Sequence, residues 1–540
     1  NDDSGAGSLR QAIFDIEWFG SDGDEITFNL SGGNETITIS SQFALIWQKS
    51  FTIDGDNTAG SGTDITVQVT EPGVSTYRIF RFDLRNPENI TLNNLTLRGG
   101  DVSGQSPNGG GAIYYYDDGD GSLTLTNCTI KDSKAQNGGG IYGEYPSLTL
   151  TNCTIQDNAS DGTGDGAGIW MRDGTGSTFT SCTLTGNTAA DDGGAIYSYD
   201  NILTIDKTTF SSNTSGDDGA GLYIDGDNNQ STSSITNSTI HSNVAGDRYG
   251  GLKLYYGEMV LTNCTIFNNT AAIIGGMYMG YGTTTITNTT IANNTGANSD
   301  GAYIEDATLR IKNTIIANNT TTDFSTSSAT ITDNGYNIVE VSSGHTWSGT
   351  GDITGAQATL NLSASLADNS TVNGTQTLAL SAGSVAIDAG NGTANNGVSI
   401  PATDQRGVSR SGATDIGAYE YVDVTAPTIT GTTIVADNST ITTTFSEAVF
   451  NTTGGSGALE ATDFTLTISG GVATLGAATP TSISISGNAY TLGFNLSGTP
   501  TGAETLRIVP SSATAIYDAA GNAASTSQSN NTITLNDQLS

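Results

Sequence analysis

The sequence predicts an all-β protein, with a long parallel β-helix followed by a β-sandwich. The first observation is a repeat between residues 94 and 320. Its units share one position, occupied by Asn or a substitute at Asn127, Asn152, Ser181, Lys207, Asn237, Asn263, Asn288 and Asn313. These positions are 25, 29, 26, 30, 26, 25 and 25 residues apart. A unit this short cannot bury its own apolar face, so neighbouring units must stack into one continuous core.

The second observation is that each unit contains short alternating apolar and polar runs and no stretch with helical periodicity. Three short strands per turn fit this content. Leu123 and Leu125 are predicted to point inward, the chain to bend near Asn127, and Cys128 and Ile130 to point inward again. Asparagines at this bend are expected to stack and to satisfy one another's amides. The third strand begins with an inward ladder formed by Ile113, Ile141, Ile169, Ile196, Leu222, Leu252, Met277 and Ala302.

The third observation is a change in the sequence pattern after Tyr421. From Val424 onward the chain has alternating strands with turn signals every 8 to 12 residues, which is typical of a β-sandwich. The expected organisation is an N-terminal cap over residues 1–25, the β-helix over 26–421, and the sandwich over 424–540.

The N-terminal cap is predicted from an amphipathic helix that begins near Ser8. Leu9, Ile13, Ile16 and Phe19 are expected on one face, and Ser8 with Gln11 matches a capping box. Such a helix would cover the open end of the β-helix, where a sheet edge and a section of apolar core are exposed.

Three sequence motifs carry a resemblance to a known family. They are DSGAGSLRQAI at the start (Asp3–Ile13), TNCTI and GGGIY within the repeats, and AIDAG, DQRG and DIGAYE near the end of the β-helix. The chain resembles right-handed β-helix proteins of the pectin-lyase-like superfamily, in particular bacterial surface and autotransporter members, over about three quarters of its length. The resemblance implies a right-handed helix. The acidic and basic residues of the closing motifs are interpreted as a polar staple holding the final rungs: Asp388, Arg406, Asp415 and Glu420.

The C-terminal part resembles the bacterial Ig-like modules of large adhesins, through APTIT, TTTFSEAVF and IYDAAGNAAS. The resemblance implies that the parent protein continues beyond Ser540. In related modules acidic residues near such turns hold Ca²⁺. Glu447, Asp518 and Asn522 match those positions, with simple turn formation as the alternative.

Composition and charge indicate where the protein is located and which classes of partner are excluded. Asp and Glu number 54 against 17 Lys and Arg, so the formal net charge is −37, and charged residues are only 13% of the chain. Such a surface repels nucleic acid and anionic membranes. No apolar run approaches the roughly 20 residues of a transmembrane helix. A secreted bacterial cell-surface protein is the expected class.

The cysteines are predicted to be buried and reduced. Cys128, Cys153, Cys182 and Cys264 occupy one repeat position, where other units have Ser or Thr. That equivalence indicates a small inward-facing residue. Parallel side chains one rung apart rarely reach disulfide torsions.

An aromatic ladder is predicted on the outside of the third strand, one residue after the inward ladder. Seven of its eight positions are aromatic although aromatics make up 7% of the chain: Tyr114, Tyr142, Trp170, Tyr197, Tyr223, Tyr278 and Tyr303, with Lys253 as the exception. Two residues further on, tyrosines mix with charges at Tyr116, Glu144, Arg172, Tyr199, Asp225, Tyr255, Gly280 and Glu305. The ladder is interpreted either as a platform for a glycan or partner protein or as rung-to-rung packing.

A row of acids precedes the glycines of the third strand. Asp165, Asp192 and Asp218 are expected one rung apart, where they would repel one another unless a cation screened them. A bridging Ca²⁺ ion is one hypothesis, and solvated loop carboxylates are the other. Apart from this Ca²⁺ and that of the Ig-like part, the sequence predicts no cofactor.

The predicted function is that of a non-catalytic adhesin or filament segment that binds a glycan or another surface protein, or associates with itself. The alternative is a polysaccharide lyase or glycoside hydrolase. A lyase needs a cationic base, and the candidates Arg172 and Lys253 lie three units apart. A polyuronate substrate also conflicts with the net charge, so no catalytic residue is assigned.

Overall fold

The protein is described by a computed structural model that covers residues 3–29, 36–57, 65–104, 107–226, 232–369, 374–410 and 413–539. The chain forms two compact units, residues 1–421 and 422–540.

The first unit is a parallel β-helix with three long sheets. Within the described residues these sheets hold 12, 13 and 11 strands. Sheet 1 contains Asp24–Phe28, Phe51–Asn57, Asn89–Asn93, Ser122–Thr126, Leu148–Thr151, Ser177–Thr180, Leu203–Asp206, Thr232–Thr236, Glu258–Thr262, Thr283–Thr287, Thr308–Lys312 and Thr330–Asp333. Sheet 2 contains Thr36–Ile39, Ile65–Val69, Leu95–Arg98, Thr129–Lys131, Thr154–Gln156, Thr183–Thr185, Thr209–Ser211, Thr239–His241, Thr265–Phe267, Thr290–Ala292, Ile315–Ala317, Ile338–Val339 and Ile353–Thr354. Sheet 3 contains Phe80–Leu84, Ile113–Asp117, Ile141–Glu144, Ile169–Arg172, Ile196–Tyr199, Leu222–Asp225, Leu252–Tyr255, Met277–Gly280, Ala302–Glu305, Phe324–Ser327 and Ser342–Ser343.

The register of these sheets follows the sequence repeat. Ile141 pairs with Ile113 on one side and Ile169 on the other, so equivalent side chains lie directly above one another. Every residue of the predicted inward ladder, from Ile113 to Ala302, is at most 1% exposed. Leu123, Leu125 and Ile130 are also fully buried. The predicted ladder is therefore confirmed. Two short pairs, Lys134–Ala135 with Ala159–Ser160 and Thr214–Ser215 with Val244–Ala245, lie outside the three sheets.

The bend between sheets 1 and 2 has the left-handed backbone that Asn tolerates. Asn127 and Asn152 have φ of 52° and 53° there, and their side-chain amides hydrogen-bond across the rungs, with Asn152 Nδ2 donating to Asn127 Oδ1 over 3.3 Å. Ser181 and Lys207 replace Asn in two consecutive rungs. Amide hydrogen bonds also join Asn237 to Asn263 and Asn288 to Asn313, so the predicted stack exists in separate stretches.

A second asparagine ladder, which was not predicted, is more deeply buried. It contains Asn158, Asn187, Asn213, Asn243, Asn269 and Asn294, all at most 1% exposed. From Asn187 onward, each Oδ1 accepts both the backbone N–H and the Nδ2 of the asparagine in the preceding rung, as Asn187 does from Asn158 over 3.1 and 3.0 Å. The Oδ1 of Asn158 accepts the backbone N–H of Ser133. Each Nδ2 also donates to a backbone carbonyl of the preceding rung, for example Asn158 to Ile130. The ladder thus satisfies buried backbone and side-chain groups together.

The cysteines lie inside the β-helix, as predicted. Cys128, Cys153, Cys182 and Cys264 are buried and free, at most 2% exposed. Each thiol donates to backbone carbonyls, as Cys153 does to Leu125. Burial raises the pKa of Cys264 to about 12, which keeps this thiol protonated.

The N-terminal helix, Leu9–Phe19, begins at the predicted cap but differs from the prediction on two points. Gln11 N–H donates to Ser8 Oγ, whereas the Gln11 side chain bonds to Asp15 instead of closing the capping box. Leu9, Ile13 and Ile16 are buried as predicted, but Phe19 is 79% exposed. The side chain of Glu17 is buried instead. Its carboxylate accepts the backbone N–H groups of Trp47 and Gln48. The prediction for Phe19 was wrong because the helix ends there.

The closing motifs form a buried polar network, but its position corrects the prediction. Arg406 pairs with Asp404 over 2.7 Å, and Arg410 pairs with Glu420 over 2.9 Å, with all four groups nearly excluded from solvent. Asp415 Oδ1 accepts the backbone N–H of Asp388. The network does not sit only on the final rungs.

The closing segment instead runs back along sheet 2. Gln405 hydrogen-bonds with Thr239 and Thr265, and Ala418 with Thr290. These partners lie 128 to 166 residues earlier in the chain. The segment thus covers the side of several rungs.

The second unit consists of antiparallel sheets, as expected for a β-sandwich. A four-stranded sheet holds Ile429–Ile434, Thr440–Phe445, Ala489–Gly493 and Ser482–Ser486. A three-stranded sheet holds Phe464–Ser469, Thr505–Pro510 and Thr532–Thr534, and Thr474–Leu475 pairs with Leu496–Ser497. A short 3₁₀ helix spans Ala461–Asp463. Phe445, Phe464 and Tyr490 pack together between the sheets.

No helix in the described part of the chain has both the length and the apolar character needed to cross a membrane.

Candidate ligand-binding face

The aromatic ladder forms two stacks on the outside of sheet 3. The first contains Tyr114, Tyr142, Trp170, Tyr197 and Tyr223, with successive ring centroids 5.0, 4.5, 6.2 and 4.7 Å apart and planes within 25° of parallel. Three of these four distances are close to the spacing of about 4.8 Å between rungs, and the Trp170–Tyr197 distance is longer. The row of stacked rings is therefore confirmed.

The predicted exposure of this row was wrong. Tyr114 is 9% exposed, Trp170 7% and Tyr223 8%, while Tyr142 and Tyr197 are partly buried. Each ring covers the faces of its neighbours, and Gly109, in the turn beside sheet 3, lies against the ring of Tyr142. A stack with its faces covered stabilises the rungs but offers no flat platform to a ligand.

Cations close both ends of the first stack. The guanidinium groups of Arg78 and Arg81 lie 5.1 and 5.4 Å from the ring centroid of Tyr114. At the other end Lys253 Nζ lies 4.0 Å from the centroid of Tyr223. Positive charge over a ring face is favourable. Lys253, the exception in the ladder, thus ends the first stack.

The second stack begins where the first ends. Tyr249, which the alignment did not include, lies 4.2 Å from Tyr278, and Tyr278 lies 5.9 Å from Tyr303. Tyr249 comes from the loop before its strand and is 7% exposed. Tyr278 donates to Glu305 over 2.9 Å.

Asp165, Asp192 and Asp218 also form a ladder, next to the rings. Asp165 Oδ1 accepts the backbone N–H of Asp192, and Asp192 Oδ1 accepts that of Asp218. Asp218 ends the row with an ion pair to Lys253 over 2.9 Å, and both residues are buried. The carboxylates accept from the backbone of the next rung, whereas the oxygens of the buried asparagines accept from the backbone of the preceding rung.

Burial and repulsion from neighbouring carboxylates raise the pKa of Asp165 and of Asp192. Desolvation raises the pKa of Asp165 to about 6, opposed by the hydrogen bond from the Asp192 backbone. Desolvation raises the pKa of Asp192 to about 7, with the charge of Asp218 adding to the effect and Lys253 opposing it. Within the ladder, Lys253 is the cation that compensates the charge.

Both cationic candidates for catalysis are engaged in ion pairs. Arg172 contacts Glu144 directly and lies 3.2 Å from Asp173. Lys253 is held by Asp218 and is 9% exposed. A guanidinium or ammonium neutralised in this way is a poor general base, because proton abstraction needs a neutral amine close to the substrate.

Exposed tyrosines lie one residue beyond the end of the sheet 3 strands. Tyr145 and Tyr281 are 42% and 44% exposed. This position follows the second outward position of the strand, held by Glu144 and Gly280, by one residue, and the sequence prediction did not include it. Where this position is left-handed and not Gly, it holds Tyr or Asp in six rungs, at Tyr145, Asp173, Asp200, Tyr256, Tyr281 and Asp306, and Ser in a seventh, at Ser328.

These exposed tyrosines border two surface cavities. The first, of about 440 Å³, is lined by Tyr116 and Tyr145 and by carboxylates that include Asp118, Asp120 and Asp173. The second, of about 400 Å³, is lined by five tyrosines and four charged residues: Tyr223, Tyr249, Tyr255, Tyr278, Tyr281, Asp225, Glu305, Arg248 and Lys253. Both volumes lie in the range of roughly 300–1,000 Å³ that small-ligand sites occupy.

Two groups of carboxylates lie close enough to hold a cation. In the β-helix, oxygens of Asp191, Asp192 and Asp217 lie within 4.8 Å of one another, so Asp192 joins neighbours other than Asp165 and Asp218. In the second unit, Glu447 and Asp518 come together with Asp423 at the same distance. Asn522 Nδ2 donates to Asp518 and to the backbone carbonyl of Asp423, which holds this group in place.

Comparison with known proteins bears on the fold. The family described as the right handed beta helix region matches residues 83–247. The crystal structure of pectate lyase Pel9A is similar to 76% of this chain and to 90% of its own, with 15% identity and a TM-score of 0.31. No curated protein matches the sequence. The family match and the order of strands in the three sheets show that the first unit is a right-handed parallel β-helix.

Proposed function

We propose that the chain is a non-catalytic part of a secreted bacterial cell-surface protein whose β-helix binds a glycan or a partner protein. The observation that carries this proposal is the position of the exposed tyrosines at the two cavities beside sheet 3. Tyrosine combines a flat apolar face with a hydroxyl and loses little entropy on binding, so it suits sugars and protein interfaces alike.

The engagement of the cationic side chains supports the non-catalytic part of the proposal. Arg172 and Lys253 each have a carboxylate partner within the chain. A polyuronate lyase needs a free base and a binding surface for negative charge, whereas this chain has a net charge of −37.

A glycoside hydrolase is the second candidate. Asp225 and Glu305 line the same cavity, and hydrolases of this kind use a pair of carboxylic acids across the scissile bond. Glu305 already accepts the Tyr278 hydroxyl, which favours a binding role for this carboxylate.

An activity assay tests the proposal directly. Purified protein is incubated with pectate and alginate, with and without Ca²⁺, and unsaturated products are followed by ultraviolet absorbance. Reducing ends released from neutral polysaccharides are measured in parallel. We expect neither signal. Absorbance that disappears in Arg172→Ala would establish a lyase, and reducing ends that disappear in Glu305→Gln would establish a hydrolase.

A further inference from the structure

We infer that the second cavity beside sheet 3 is a binding site for a neutral oligosaccharide, with Tyr281 and Tyr255 as its aromatic walls. This inference rests on the proposed function and specifies its ligand class. The cavity is called the Tyr281 cavity below, and its lining is the set of five tyrosines and four charged residues given above.

The aromatic walls of the Tyr281 cavity are set at nearly a right angle. The rings of Tyr255 and Tyr281 have centroids 5.3 Å apart and an interplanar angle of 77°. Tyr256 packs beside both rings, at 4.6 Å from Tyr255 and 5.3 Å from Tyr281. One ring can therefore stack on the face of a sugar while the other contacts its edge.

A missing side chain keeps this cavity open. The outward position that holds Tyr255 and Glu305 in the neighbouring rungs is Gly280 between them. A Cβ at Gly280 would collide with the hydroxyl end of Tyr278. Any larger residue would displace the ring of Tyr278, which lines the cavity, so the shape of the cavity depends on this glycine.

The backbone of Tyr281 is a second sign of function. Its φ is 57°, in the left-handed region that bulky residues avoid, and the equivalent bends hold Tyr at Tyr145 and Tyr256 or Asp at Asp173, Asp200 and Asp306. Asp tolerates this conformation better than Tyr does. The strained bend thus places an exposed ring at the cavity mouth where local structure alone favours Asp or Gly.

The charges around the cavity select a neutral ligand. Asp225 and Glu305 supply acceptors, and Arg248 and Lys253 supply donors, which together match the hydroxyl pairs of a sugar. Both cations are already paired, Arg248 with Asp247 over 3.4 Å and Lys253 with Asp218 over 2.9 Å. These six groups carry two positive and four negative charges, so a uronate or sialate carboxylate would meet net repulsion.

The test uses the full chain and a panel of linear oligosaccharides of glucose, mannose, galactose and xylose, with oligogalacturonate and oligomannuronate as the anionic arm. Binding is measured by calorimetry and by tyrosine fluorescence. Tyr281→Asp introduces the residue that the chain itself uses at equivalent bends, so the fold should tolerate it. Asn268→Asp introduces an Asp at an exposed left-handed bend that lines neither cavity, and it is the matched control. Gly280→Ser, which displaces the ring of Tyr278, is the second variant.

We expect at least one neutral oligosaccharide to bind, with affinity roughly tenfold or more lower in Tyr281→Asp and Gly280→Ser, as for loss of a central aromatic contact. Asn268→Asp should bind like the unmodified chain. Full binding by Tyr281→Asp, preference for the uronates, or no binding of any neutral sugar would overturn the inference. None of these results would affect the non-catalytic proposal, which depends on the activity assay.

Discussion

Replacing Asp192 by Asn is expected to stabilise the β-helix above neutral pH. Asp192 Oδ1 accepts the backbone N–H of Asp218 over 2.9 Å, and an Asn side chain keeps that acceptor. The chain already provides the precedent, because Asn137 Oδ1 accepts the backbone N–H of Asp165 in the same ladder. The substitution therefore removes the charge without removing the hydrogen bond.

The magnitude follows from the pKa of Asp192, which burial raises from 3.8 to about 7. Each unit corresponds to about 1.4 kcal/mol, so full ionisation disfavours folding by about 4 kcal/mol. Because the carboxylate is partly exposed, solvent screening reduces the measurable difference to about 1–2 kcal/mol.

The sign depends on pH. A carboxyl group with a raised pKa in the folded state contributes stability below pH 3.8, and that contribution is lost as the pH rises to about 7. The Asn variant has no such loss. Its advantage should therefore be close to zero near the low end of this range and largest above about pH 7.

The assay is urea denaturation across this pH range, followed by circular dichroism and by the fluorescence of the tryptophans. Asp157→Asn, which removes one negative charge from an exposed bend, is the control and should show no pH-dependent gain. An Asp192→Asn variant that is equally stable or less stable than the unmodified chain at high pH would refute the reasoning. A gain of the same size at all pH values would do so as well.

Three further predictions address the interior and the second unit. Trp170→Ala should lower stability by about 3–5 kcal/mol, as for other buried aromatic residues, without weakening ligand binding beyond what unfolding explains; selective loss of binding would restore the aromatic row as the site. Intact-mass analysis after alkylation should find four reactive thiols in the unfolded chain with or without reductant, and a disulfide between Cys128 and Cys153 would contradict the ladder. Ca²⁺ should raise the unfolding temperature of the second unit within the full chain. Burial raises the pKa of Glu447, and repulsion from the charges of Asp518 and Asp423 raises it further. A bound cation relieves this repulsion between carboxylates. Glu447→Gln should abolish this shift, and an equal shift in that variant would place the ion elsewhere.

The β-helix was predictable from sequence because its signals are local and repeated. Alternation assigns each residue to one side of a strand, and the repeat aligns the strands. Ile141 and its equivalents could therefore be placed inside without knowledge of the fold. The thiols followed from the same alignment, since Ser and Thr occupy their position in other rungs.

The sequence did not predict those properties that depend on which neighbouring groups cover a side chain. Alternation placed Trp170 outside the sheet, but the neighbouring rings that bury it become visible only when the rungs are stacked. The position of Gln405 and Arg410 along sheet 2 depends on how the preceding segment folds back, which no local pattern encodes. Tyr281 was within reach, because it follows the aligned positions by one residue.

The buried asparagine ladder has a consequence for how such a chain grows. Each amide in it joins the rung before to the rung after, with the same three hydrogen bonds at Asn187 as at Asn243. A duplicated turn that carries its own asparagine leaves every donor and acceptor paired. The row ends at Asp323, whose carboxylate accepts the backbone N–H and the side-chain Nδ2 of Asn319. A single residue inserted between the asparagine and its strand would leave several buried donors and acceptors without partners. The molecule is thus free to lengthen or shorten by whole turns, while each turn resists change by one residue.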